Sequence, residues 1–160
     1  MAAAADVSQM TVFNYFPTNE DLVLHRFEDH FDDVVAVRRD FLAGLRRHDP
    51  STGLYDGDGF LAFQEMVMSA PSLRFRVLEL AYRSVEGLAA ELAEQSDARP
   101  DDIAPNVVAG MVCSTRTELV RQNVRRLTAG EKIQDIEADA LASATQAFDL
   151  LEHGIGDYCR

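Results

Sequence analysis

The stretch "VSQMTVFNYFPTNEDLV", residues 7–23, decides how the chain is read. Ser8 precedes a short run carrying Phe13, Tyr15 and Phe16, and Pro17 closes it. A Ser hydroxyl can accept an orphan N–H of a first helical turn, so a helix is expected over about residues 9–15. Pro17 disfavours helical geometry at Phe16 and ends it. Thr18 caps the next helix, with Glu20 and Asp21 placing negative charge in its first turn. Upstream, Ala2 to about Asp6 reads as the tail of a helix. Two helices joined by a tight turn, the second of them short, have the outline of a helix-turn-helix.

That motif presents the N-terminal residues of its second helix to the major groove. Val12 and Phe16 share one face, suited to a core. Gln9 pairs with Phe13 on another face, and Met10 with Asn14. Amides can read adenine edges, and an apolar ring can pack on a thymine methyl. The competing reading is a short helix packed as a lid on a larger bundle.

Outward from this stretch, helical periodicity recurs and no alternating strand pattern appears. A long helix is expected from Thr18 to about Arg47, carrying Leu22, Phe27, Phe31, Val34, Val35, Phe41, Leu42 and Leu45 at spacings near three and four. "HDPSTGLYDGDG" is a loop by composition. Further helices are expected over about residues 59–69, 72–95 (with one break allowed), 103–127 (capped by Asp102) and 134–152, with Gly154 just past the end. The fold class is all-α: a helix-turn-helix remnant followed by a helical ligand-binding and dimerisation bundle. The division falls at 1–46 for the helix-turn-helix region with its connecting helix, and 47–160 for the rest.

The bulk numbers agree with one soluble unit. The chain has 160 residues, 47% of them apolar and 26% charged. "MAAAAD" lacks the charged and apolar regions of a signal peptide, and no apolar run of membrane-spanning length occurs, so a cytoplasmic protein is expected. Cys113 and Cys159 have no metal or disulfide spacing. Net charge is −12 and no Lys or Arg precedes Arg26, which argues against indiscriminate nucleic-acid affinity.

The run "AAAADVSQMTVFNYFPTNEDLV" closely resembles the helix-turn-helix core of TetR-family transcriptional regulators. The matching residues are Ala4, Ala5, Val7, Ser8, Thr11, Phe13, Tyr15, Phe16, Glu20 and Leu22. The resemblance implies that Gln9, Met10, Thr11 and Phe13 face bases and that Asn14 and Tyr15 face phosphates. It implies a repressor that binds operator DNA as a dimer and is released by a small apolar or amphipathic effector. Residues 69–95 and "VVAGMVCSTRTELV" further resemble a subgroup related to mycofactocin-type regulators, which implies an acyl-CoA-like ligand. Three departures stand out. Only about five residues precede the turn where the family carries a full first helix, Asp6 replaces the turn Gly, and Asn19 replaces a Lys. A shortened form is therefore expected, through truncation or a misassigned start, with weakened DNA binding.

Candidate sites follow. An apolar pocket is expected from Phe27, Phe31, Phe63, Met66, Tyr82 and Met111, with Arg116 holding an anionic headgroup. A plain core and an ordinary salt bridge are the alternatives. Glu79 and Arg83 are four apart and should pair. Ile136, Ala140, Ala144, Ala147, Phe148 and Leu151 form a stripe on the last helix with no obvious internal partner, so a two-fold dimer interface is expected there, with Val112 and Leu119 contributing. His25, Asp29 and His30 could ligate a metal, but a solvated acidic face explains them as well. There is no Ser/His/Asp order, metal triad or phosphate loop, so no enzyme and no cofactor are expected. The rival reading is a dimeric small-molecule-binding module without a DNA role.

Overall fold

The computed structural model describes residues 34–154. The helix-turn-helix stretch, Phe27, Phe31 and the His25–Asp29–His30 group lie outside the described residues. Among those described, the elements are α1 (Val34–Arg46), a 3-10 turn (Pro50–Thr52), α2 (Phe60–Ser69), α3 (Pro71–Gln95), α4 (Ala104–Thr128) and α5 (Ile133–His153). They contain no strand, and the all-α expectation holds. The allowed break in α3 does not occur: the helix is continuous to Gln95, and Pro71 sits at its first position, where a missing N–H costs nothing. Asp102 accepts the Ala104 N–H at 2.9 Å from one position before Ile103, which occupies the N-cap of α4. Gly154 ends α5 with φ +81°, a conformation that favours glycine.

Ion pairs fix the direction of packing. Near the start of α1, Arg38 reaches Asp149 at 2.6 Å and Glu152 at 2.9 Å near the end of α5. Just past the end of α1, His48 Nε2 lies 3.6 Å from Glu137 in the second turn of α5. The two helices therefore run antiparallel. At the α4–α5 corner Arg126 pairs with Glu131 at 2.7 Å and Asp139 at 3.1 Å, which folds α5 back along α4. These groups are solvent-accessible, so they set register more than stability.

The main core gathers Val37, Phe41 and Leu45 of α1, Leu88 and Ala89 of α3, Ala109, Val112 and Leu119 of α4, and Ile136, Ala140, Ala144 and Phe148 of α5. Phe41 and Phe148 meet with ring centroids 6.0 Å apart at a tilted angle, a favourable aromatic geometry. A smaller cluster joins α2 to the first half of α3, where Val67 and Leu80 are buried with Phe63, Leu73 and Val77 around them.

A polar clasp holds the 3-10 turn to α4. Asn123 is buried and donates its Nδ2 to the Thr52 carbonyl at 2.9 Å. The Thr52 hydroxyl donates to the Asp49 carbonyl at 2.7 Å, and Asp49 in turn accepts from the Ser51 N–H at 2.9 Å. Gly53 has φ +72°, and a Cβ there would lie 2.6 Å from the Val120 carbonyl oxygen, so both backbone and space demand glycine.

Two stability predictions follow from this packing. Phe148→Ala should cost about 3–5 kcal/mol in urea unfolding, by lost transfer energy and a residual cavity. Asn123→Ala should cost about 1–3 kcal/mol, because the Thr52 carbonyl loses its buried donor. A third concerns acid. The Ser51 hydroxyl bonded to Asp49 holds its carboxyl below the usual range, against some desolvation and helped by the Ser51 N–H, Arg47 and Arg116. A folded value below the unfolded one stabilises the fold above the ordinary carboxylate range. That gain is lost as pH falls through the lowered value. Asp49→Asn should therefore flatten the acid limb of the stability–pH curve, read by thermal melts at a series of pH values.

Candidate functional site

The final helix overturns one expectation. Ile136 and Ala144 are 0% exposed, Phe148 2% and Ala140 6%, all within a single chain. Val112 at 1% and Leu119 at 6% share that core, and Ala147 and Leu151 pack at its edge. The stripe does have an internal partner, formed by α1 and α4, and its buried members have no surface left for a second copy. The small residues at 140 and 144 belong to helix approach inside the chain.

The face of α5 that does meet solvent is different. Ala138, Ala142, Thr145 and Gln146 are exposed. An open groove of about 650 Å³ runs along this side, lined by Arg46 of α1 and by Leu141, Ala142, Thr145, Asp149 and His153 of α5. On α4 the outward stripe begins with Ile103, just before the helix, and continues through Val107 and Met111, which are 73%, 48% and 38% exposed. Neither set was singled out from sequence as a contact face, apart from Met111, which was given another role.

The residues named for an apolar pocket do not close around a common space among the described residues. Met66 is 44% exposed and Tyr82 65%. Phe63 is half-buried in the α2–α3 cluster. Met111 lies on the outward face of α4. Arg116 is directed to the 3-10 turn. Its guanidinium points to the Ser51 carbonyl at 3.5 Å, and its charge helps lower the Asp49 pKa. It braces the 3-10 turn against α4. Phe27 and Phe31 fall outside the described residues, as do Gln9, Met10, Thr11, Phe13, Asn14 and Tyr15.

α3 shows what periodicity leaves open about such residues. Phe75, Leu78, Tyr82, Val85, Ala89 and Leu92 follow a three–four spacing and share one face. The second half of that face is core, with Ala89 buried and Val85 and Leu92 packed against it. In the first half Phe75, Leu78 and Tyr82 stand in solvent. One periodic stripe thus has two fates, and periodicity alone cannot separate them. The Glu79–Arg83 pair forms as expected at 2.7 Å, with Arg76 on the same carboxylate. Among the described residues no group of three His, Cys, Asp or Glu is placed to hold a metal ion, and no helix is long and apolar enough to cross a membrane.

The buried and exposed faces of α5 can be told apart by experiment. Ala144→Arg forces a charge into a site with no free surface and should abolish cooperative unfolding by circular dichroism. Ala142→Arg, two residues away on the groove side, should leave the helical signal nearly unchanged and unfolding still cooperative. A folded Ala144→Arg protein would contradict the packing described. Comparison with known proteins adds no relative: no family model, no curated protein and no solved structure matches the chain.

Proposed function

We propose that the chain is a TetR-like transcriptional regulator, in which about residues 9–15 are the DNA-reading helix and the described bundle carries dimerisation and effector response. The observation that carries this reading is the opening stretch, where Val7, Ser8, Thr11, Phe13, Tyr15 and Phe16 stand in the order of that family's recognition helix. The bundle supports it in a more general way. A short reading head needs a rigid scaffold that fixes its spacing from a second copy, and an all-helical core with a well-packed final hairpin supplies one.

In this reading the dimer forms through the outward faces of α4 and α5. Val107 and Met111 provide exposed apolar side chains, and the open groove beside Ala142 and Thr145 lies on the side of α5 that a second copy would meet. The effector is apolar, meeting Phe63 and the exposed Met66 and Tyr82 together with Phe27 and Phe31. Its binding would change the separation of the two reading heads, which needs only a difference in affinity between two arrangements of the dimer.

The net charge of −12 favours a second reading, a dimeric ligand-binding module without a DNA role. Residues 1–160 carry no Lys or Arg before Arg26, and phosphate contacts supply much of the affinity for DNA. An anisotropy titration against the promoter beside the chain's own gene separates the two. Residues 1–160 alone should bind without specificity or not at all at physiological salt. Fusing a basic helix ahead of Ala2 should produce specific binding. In that longer form Gln9→Ala and Phe13→Ala should each reduce discrimination between operator sequences by about 1–3 kcal/mol. Unchanged discrimination after both substitutions would remove the opening stretch as the reading head, and no binding by the longer form would favour the ligand module.

A further inference from the structure

We draw no further inference here: the strongest candidate, the exposed apolar stripe of Phe75, Leu78 and Tyr82 on the first half of α3, continues a face that is core further along the same helix, but nothing in the structure shows what covers it.

Discussion

Ala140 and Ala144 lie one turn apart on α5, and both are buried in the core. With Ile136 before them and Phe148 after them, they let α5 settle against α1 and α4 at close range. A fully buried side chain of the size of Ile or Phe contributes about 1.5–3 kcal/mol. The small residues contribute less by their own area, but they permit the larger ones to reach their partners. A charge or a long side chain at either alanine would push α5 away from both neighbours at once. The antiparallel run of Arg38 to Asp149 and of Arg126 to Asp139 would lose its register with it.

The 3-10 turn depends on that arrangement indirectly. Its hold on the bundle is the Asn123 amide beneath it and the Gly53 backbone pressed against Val120. Asn123 lies on α4 only four residues before Leu127, and the position of α4 is set by what it packs against. An unsatisfied Thr52 carbonyl at this depth would cost more than the hydrogen bond itself contributes. The link between α1 and α2 is therefore specified by a polar contact, where most of the remaining structure is specified by apolar area. Arg116 acts in the same place, with its guanidinium 3.5 Å from the Ser51 carbonyl and its charge helping to hold the Asp49 carboxyl low.

The helices were legible because their punctuation is strong: Pro71, Asp102, Gly130 and Gly154 each stand within a residue or two of an observed boundary. The identity of partners was less legible. A three–four stripe states that a face is apolar and leaves open what it meets. On α5 that face meets α1 and α4, although from sequence it looked free, because the matching apolar positions of α1 lie about a hundred residues away. On α3 the reverse holds, and Phe75, Leu78 and Tyr82 continue a core face into solvent. One contact of Arg116 was not legible either: the Ser51 carbonyl is a backbone acceptor, and backbone acceptors leave no trace in residue type.

These two outcomes bear on function by subtraction. A helix that spends one face on its own core can offer only the opposite one to a partner. On α5 the face that remains carries Ala138, Ala142, Thr145 and Gln146 beside a shallow groove, and on α4 it carries Val107 and Met111. The first set is small and polar, fit for close approach with little apolar area. The second supplies the apolar side chains that the first lacks. A two-fold contact that used both would combine close approach with desolvation, which neither helix achieves alone. The groove beside the first set is bordered by Arg46 of α1 and by α5 itself, so the core leaves each helix a separate outward face, nearly without apolar area on α5 and apolar on α4.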